Sequence, residues 1–340
     1  MPNAGKENLL VDISNIQCKI NDVHVWIINN YYDEKLLEKF DSKIKVVKYD
    51  RQPNSNSILL FLKMNFYLLG LNPDIIHTHD SSIINIFCFR FKNKFVTTVH
   101  STQLFENRLY SYDKVFAISK AVKDDLIASG FRKIKKIIVI NNGIEFQKIT
   151  LKHKFSLDET FKLIQVGRLK VDQKGQDLSI KAISFLKKIG FSIHLDIVGK
   201  GEDQGILNDL VKELNLENDI SFIGEKERDW IYANLKRYNI LLQPSRIEGF
   251  GLTILESLGA KLPVIASNID GPAEILQNEK YGFLFNNGEV EDLVNRIKEI
   301  HALYKQNKIE EFVDESYSFA TKNFSIHDTV TKYQKHYSEN

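Results

Sequence analysis

Glu248 and Glu256 stand eight positions apart around Gly249-Phe250-Gly251, and this pair of carboxylates about a glycine turn is the strongest chemical signal in the chain. The run Tyr238 to Pro244 before it is apolar and closes on proline, which predicts a buried parallel strand ending at a loop. After it, Leu252, Ile254, Leu255 and Leu258 fit one face of a helix. Glu248 therefore sits on a strand-to-helix loop and Glu256 about a turn inside the helix. The free N–H groups of that helix start, with the flexible Gly249 and Gly251, make a seat for an anion or a hydroxyl-rich ligand. Two carboxylates beside it accept hydroxyl hydrogen bonds. Taken alone, the same residues also suit an ordinary loop and a glutamate that complements a helix dipole. The functional reading rests on what accompanies them.

Val166-Gly167-Arg168 ends another predicted strand, and Arg168 and Lys174 bracket the loop that follows, which closes with Gly175 before a helix. Two cations at one strand mouth can neutralise a diphosphate, the arginine as a bidentate fork and the lysine as a mobile point charge. Lys174 alone reads as a solvated lysine; the pair beside a glycine turn, in the same half as the two glutamates, does not. His100 also ends a strand, where a single histidine is more often a structural hydrogen-bonding group. His77 and His79, two apart on one strand, point the same way, but no third ligand stands at convincing spacing, so no metal site is expected.

Stepping outward, short β-branched runs alternate with helical patterns through the whole length, the signature of parallel sheets with crossover helices. Strands are expected at 24–29, 44–49, 74–79, 95–100, 114–118 and 137–141, and again at 161–166, 193–198, 220–223, 240–243, 263–267 and 282–285. This predicts an α/β protein of two doubly wound domains, with the polar segment Glu145 to Asp158 at the boundary. Ligands of such sheets bind beyond the carboxyl ends of the strands, and two facing domains would hold a substrate between them.

A length of 340 residues suits two domains, and a net charge of +2 demands no nucleic acid. Cys18 and Cys88 lie in apolar surroundings without metal-ligand spacing, which favours reduced thiols and a cytoplasmic protein. Met1 to Asn8 are polar and show no signal peptide, and the longest apolar stretch, Ile58 to Leu71, is too short to span a bilayer.

Together these motifs resemble the retaining glycosyltransferases of family 4, which have the GT-B architecture of two facing Rossmann-like domains. The resemblance covers almost the whole chain. It rests on the two glutamates with seven residues between them, on Arg168 and Lys174, on Pro73-Asp74-Ile75-Ile76-His77-Thr78-His79, Thr98-Val99-His100, Ala117-Ile118-Ser119, Asn142-Gly143-Ile144 and Asp270-Gly271-Pro272-Ala273-Glu274. It implies an N-terminal acceptor-binding domain over 1–148, a nucleotide-sugar-binding domain over 149–320, and a helix over 321–340 that crosses back to the first. It further implies that Glu256 binds the donor's ribose and Glu248 its sugar ring, with Gly167 beside them. Backbone groups of Phe250, Gly251, Leu252 and Thr253 would meet sugar and phosphates, and the loop at Glu225 and Lys226 would hold the base. Arg168 and Lys174 would stabilise the departing diphosphate without a metal, and His100 would approach the donor sugar. No cofactor is implied beyond a UDP- or GDP-sugar substrate. The expected enzyme moves that sugar, with retention, to a glycan acceptor that is lipid-linked in surface polysaccharide (lipopolysaccharide, O-antigen or capsule) synthesis. The alternatives are a GT-B sugar-nucleotide epimerase and a non-catalytic sugar-nucleotide binder.

The chain departs from the pattern at its start. Pro2-Asn3-Ala4-Gly5-Lys6-Glu7 resembles the glycine loop that normally follows a first strand, so Gly5 and Lys6 are assigned to the acceptor side and the strand itself is expected to be missing. An N-terminally extended form is expected to be more stable. Phe87, Phe89, Phe91 and Phe95 interleave with Arg90, Lys92 and Lys94, and Arg132, Lys133, Lys135 and Lys136 form a second basic run. These two features suit an anionic membrane surface, peripheral on the inner face of the plasma membrane, or equally a buried helix entering a strand and a solvated loop.

Overall fold

A computed structural model of the chain describes residues 5–339 apart from 53, 54, 56, 88–92 and 104. The chain divides into two compact units, the first made of Met1–Gly143 with Ile326–Asn340 and the second of Ile144–Ser325. Both are built of parallel strands with helices between them.

The second unit runs β7 (Phe161–Val166), α5 (Val171–Lys174), α6 (Gln176–Lys188), β8 (Ile193–Val198), α7 (Gln204–Glu213), β9 (Ile220–Gly224), α8 (Arg228–Asn234), β10 (Ile240–Gln243), α9 (Leu252–Gly259), β11 (Val264–Ser267), α10 (Asp270–Ile275), β12 (Phe283–Phe285), α11 (Val290–Lys305) and α12 (Ile309–Asn323), the numbers following the first unit's six strands and four helices. Its six strands pair in the order β12-β11-β10-β7-β8-β9. The order reverses between β7 and β10, so the crevice beyond their carboxyl ends is where this topology takes a ligand. Strands β10, β11 and β12 are buried throughout, as parallel strands between two helix layers tend to be, while β7, β8 and β9 toward the other edge carry exposed or partly exposed polar residues such as Lys162, His194 and Ser221. Helix α11 shows how sequence sets the packing: Leu293, Val294, Ile297, Ile300 and Tyr304 recur at helical spacing and all are buried against the sheet. Each such side chain contributes about 1.5–3 kcal/mol by leaving water.

The first unit runs α1 (Gly5–Gln17), β1 (His24–Asn29), α2 (Glu34–Leu37), β2 (Lys45–Arg51), α3 (Ile58–Leu71), β3 (Ile75–Thr78), β4 (Lys94–Val99), β5 (Lys114–Ala117), α4 (Lys120–Ala128) and β6 (Ile137–Val139), with α13 (Ile326–Ser338) added from the end of the chain. Its strands form two sheets, β1-β2 and β3-β4-β5-β6. Among the described residues no strand joins β1 to β3. Helix α1 serves both sheets instead: Leu9 and Ile13 pack with Val96, Phe116 and Ile140, while Val11 and Cys18 pack with Val25 and Ile27 on β1. Helix α13 lies in the same cluster through Ile326, Val330 and Tyr333. Lys114 Nζ donates to the carbonyl of His336 at 2.8 Å and Lys94 Nζ to that of Tyr337 at 3.1 Å, two cations on the negative end of α13.

Two expectations change here. Passage between units falls at Gly143/Ile144 and at Ser325/Ile326 rather than at 148/149 and 320/321, because Ile144 bridges to Ser325 and donates to the carbonyl of Phe324, which fixes both crossings inside the second unit's edge. The expected aromatic membrane face is core where it is described. Phe95 is 2% exposed on β4, and Phe87 packs on it and on Trp26 at ring separations of 5.4 and 6.5 Å. Phe89, Phe91, Arg90, Lys92 and Cys88 lie outside the described residues. Of the second basic run, Lys136 Nζ donates to the carbonyl of Tyr112 at 2.5 Å, while Arg132, Lys133 and Lys135 are exposed.

Candidate functional site

Most of the residues singled out in the second unit follow the two strands that flank the reversal. Arg168 and Lys174 come after β7; Glu248 and Glu256 come after β10. Gly175 makes their approach possible. It lies at φ +63°, and a Cβ there would stand 2.0 Å from the carbonyl oxygen of Pro244. Only glycine lets the turn between α5 and α6 rest directly on the exit of β10. The backbone N–H groups of Arg246 and Ile247 both donate to the carbonyl of Gln173, closing the same seam.

Across the seam, Lys174 Nζ stands 2.7 Å from Glu248 Oε2, with side chains 25% and 15% exposed. The same oxygen accepts from Gln243 Nε2 at 3.0 Å and lies 3.5 Å from Ser245 Oγ. Gln243 Oε1 in turn accepts from Thr253 Oγ1 at 2.9 Å. Lys174 is anchored through its backbone as well, its carbonyl accepting from Gln165 Nε2 at 2.9 Å. Glu248 thus keeps its carboxylate directed by three donors, leaving its other oxygen for a ligand hydroxyl. Gly167 borders the Lys174 stem, since a Cβ there would meet it at 3.9 Å.

Arg168 stands apart from that cluster. Its guanidinium is 65% exposed and meets Glu202 Oε2 at 3.0 Å, while Lys170 Nζ holds the other oxygen at 3.1 Å. The hydrogen bond from Lys170 holds Glu202 below the ordinary carboxylate range, aided by the charges of Lys170 and Arg168. Each of the two expected cations is therefore matched to its own carboxylate. An arriving diphosphate would compete for both.

Phe250 is buried at 2% exposure and packs edge-on against Phe324, so its contribution to a ligand is confined to backbone. Gly251, at φ +107°, opens α9 with no side-chain cap, leaving the N–H groups of Leu252 and Thr253 without a capping side chain. Glu256 lies inside α9 at 8% exposure. Glu225 and Lys226 follow β9, at the sheet's edge rather than at its reversal. Glu225 pairs with Lys200 at 2.5 Å, and Lys226 Nζ sits 5.6 Å from the Trp230 ring centre.

Sequence reading passed over two supports. Gln243 is the hub that orients Glu248, and its signal was present: it is the single polar side chain ending the apolar run Ile240 to Leu242. Arg246 forks onto Asp177 at 2.7 and 2.9 Å and donates to the carbonyl of Val171 at 2.7 Å. Burial pushes Asp177 up, but the Arg246 fork outweighs it and leaves its carboxyl below the usual range. A salt bridge between residues so far apart in sequence leaves no local pattern.

In the first unit, His79 and His100 leave the carboxyl ends of β3 and β4, and His79 Nδ1 lies 2.9 Å from His100 Nε2. His77 stacks on His79 with ring centres 4.6 Å apart and is held by Tyr337 Oη and Thr98 Oγ1, each at 2.7 Å. Burial lowers all three imidazoles: His79 falls to about 4, and His77 and His100 lie well below their ordinary value, with neighbouring imidazoles adding to the effect on both. The charge of Lys6, on the first turn of α1 next to Gly5, contributes to the lowering of His79 and His100. Among the described residues no group of three His, Cys, Asp or Glu side chains is arranged to hold a metal. His77 is occupied by hydroxyl groups of β4 and α13 instead.

Two α/β units of parallel strands, the second doubly wound with Lys174 and Glu248 beside its strand reversal, are the architecture of the GT-B glycosyltransferases. The comparisons place it further. Residues 147–315 match the family described as Glycosyl transferases group 1, and residues 17–148 match Glycosyltransferase Family 4. The chain belongs to these glycosyltransferases. It is 28% identical to an uncharacterized glycosyltransferase of Methanocaldococcus jannaschii over 81% of this chain and 80% of that one. It is 28% identical to the amylovoran biosynthesis glycosyltransferase AmsK of Erwinia amylovora over 59% of this chain, a match that spans about half, 54%, of that relative. The fold is shared with HepE of Anabaena, whose crystal structure holds UDP and glucose, at a TM-score of 0.83, 21% identity, 99% coverage of this chain and 96% of that one.

Proposed function

We propose that the chain is a retaining, metal-independent hexosyltransferase that moves a sugar from a nucleotide-sugar donor to a glycan acceptor, a lipid-linked intermediate of surface polysaccharide synthesis. The observation that carries this reading is the Lys174–Glu248 pair at 2.7 Å on the strand reversal, oriented by Gln243. It sets a mobile cation and a directed carboxylate side by side, as a sugar diphosphate requires. A relative of the chain is a lipopolysaccharide 1,6-galactosyltransferase of Escherichia coli, 29% identical over 60% of this chain and 58% of that one, which supports a polysaccharide acceptor.

In the proposed reaction the bond between the anomeric carbon and the diphosphate oxygen breaks, and the electron pair leaves with the diphosphate. Lys174 and Arg168 exchange their carboxylate partners for that growing charge, which stabilises the transition state more than the ground state. Glu248 holds ring hydroxyls, Glu256 the ribose, and the uncapped N–H groups of Leu252 and Thr253 the sugar and phosphate oxygens. The acceptor hydroxyl bonds to the anomeric carbon from the face the diphosphate leaves, so configuration is retained, and its proton passes to the leaving phosphate oxygen. His100, kept neutral by burial, offers the donor sugar a hydrogen bond without a charge.

The test is release of nucleotide diphosphate from a panel of UDP- and GDP-sugars, with and without lipid-linked glycan. Acceptor-dependent release that Glu248→Gln lowers about 100-fold supports the reading. Binding without release would instead identify a sugar-nucleotide binder.

A further inference from the structure

Helix α3 is mostly apolar, and among the described residues one side of it is left exposed. Met64 and Leu68 are buried toward the first unit's core, with Leu60 and Phe61 packed against Trp26, Val47 and Tyr49. On the opposite side Ile58 is 74% exposed, Leu59 78%, Phe66 69%, Leu62 43% and Leu69 41%. At about 100° per residue these five fall within a sector of roughly 100°, one continuous stripe along the helix. The other large exposed apolar side chains, such as Ile20, Phe185 and Ile206, are scattered over different elements. Single exposed apolar residues need no explanation, whereas a contiguous stripe of five marks a surface that is covered in use.

The charges around the stripe decide what covers it. Helix α3 carries one charged residue, Lys63, beside the stripe, and no acid. Strand β2, whose Val47 and Tyr49 share a cluster with α3, carries Lys45, Lys48, which is paired with Glu34 at 2.7 Å, and Arg51, whose guanidinium lies 5.7 Å from the Phe61 ring centre. Its one acid, Asp50, is turned away to accept from Tyr32 Oη at 2.8 Å. An apolar stripe on a helix that carries no acid, with Lys63 beside it and Arg51 at its Phe61 edge, is complementary to an anionic lipid surface, where aliphatic side chains enter the acyl boundary and lysine and arginine meet the headgroups. A second copy packed stripe to stripe would set these cations against one another, because a two-fold interface opposes the same residues.

We propose that α3 is the membrane seat of the protein, lying in the plane of an anionic bilayer with Ile58, Leu59, Leu62, Phe66 and Leu69 immersed and Lys45, Arg51 and Lys63 at the headgroups. The helix docks and does not span: among the described residues no helix is long and apolar enough to cross. The seat deepens the lipid-linked-acceptor reading above by naming the surface. Its test uses no donor and no acceptor, so the two stand or fall separately.

The experiment is flotation of the full chain with phosphatidylcholine vesicles with and without about one third phosphatidylglycerol, alongside light scattering to fix the solution mass. Wild type is expected to float with the anionic vesicles, less so in high salt, and Phe66→Glu with Leu62→Glu to lose at least tenfold in bound fraction. These side chains are largely exposed, so the thermal midpoint of the variant stays at the wild-type value. Phe185→Glu, an exposed apolar side chain of the second unit, is expected to float as wild type does. The proposal is overturned if the double variant floats unchanged, if wild type ignores anionic vesicles, or if wild type is a dimer that the double variant splits while vesicle binding is absent.

Discussion

Lowering the pH from 7 to 5 should destabilise the first unit selectively, and the reason lies in His77, His79 and His100. All three are buried neutral, so below the ordinary imidazole value near 6.5 the unfolded chain binds protons that the folded unit refuses. Stability then falls as pH falls, over the window from about 6.5 down to about 4 set by His79. For His79 alone, with a folded value of about 4, the loss by pH 5 is about 2 kcal/mol. His77 and His100 act in the same direction. Glu7, raised above its ordinary value by burial, acts in the opposite direction and offsets part of the loss. In the second unit His194, raised chiefly by its hydrogen bond to Asp196, and His301, lowered by burial, have opposing signs. The chain has two tryptophans, Trp26 in the first unit and Trp230 in the second, so each unit has its own fluorescent reporter. Urea unfolding of Trp230→Phe, which reports the first unit, should show its midpoint fall by roughly 1 M between pH 7 and 5. Trp26→Phe, which reports the second unit, should shift much less, and His79→Gln should flatten the first unit's response. A first-unit midpoint that stays or rises on acidification would refute the buried-neutral assignment.

Other outcomes follow from the second unit's site. Gln243→Leu removes the donor that directs Glu248 and leaves Thr253 unpaired, so nucleotide-diphosphate release should fall about tenfold with a stability loss of about 1–3 kcal/mol by denaturant titration. Arg246→Ala leaves Asp177 half-buried without its fork and should cost about 1.5–3 kcal/mol, read as a lower midpoint in the Trp230 reporter. Gly175→Ala forces a Cβ into the Pro244 carbonyl at a positive φ, and should both destabilise the second unit and weaken nucleotide affinity by separating Lys174 from Glu248; unchanged affinity would show that the seam does not set the site.

The fold was legible because buried parallel strands write themselves as short apolar, β-branched runs: those at 240–242 and 264–266 need no tertiary information to be seen. The donor-side site was legible for the same reason, since ligands gather at strand ends and the ends are where polar residues interrupt the runs. The Arg246–Asp177 fork was not, because it joins a loop to a distant helix. Nor was the face of α3. A stretch as apolar as Ile58 to Leu71 has too weak a period to mark which side meets the core, whereas Phe87 and Phe95 stand in a run that alternates with charges and reads as amphipathic although Phe95 is buried on β4. The pairing of His79 with His100 likewise depends on β3 and β4 being neighbours, which their sequences do not state.

The central claim is that the strand reversal of the second unit receives a nucleotide sugar. It is tested most directly by calorimetric titration of wild type, Lys174→Ala and Glu256→Ala with UDP- and GDP-sugars and their free diphosphates. The account predicts that one donor binds wild type with a one-to-one ratio, that both variants lose about tenfold or more, and that Glu256→Ala is weakened equally toward the free diphosphate. Failure of every donor to bind wild type, or wild-type affinity in Glu256→Ala and Lys174→Ala, would contradict it.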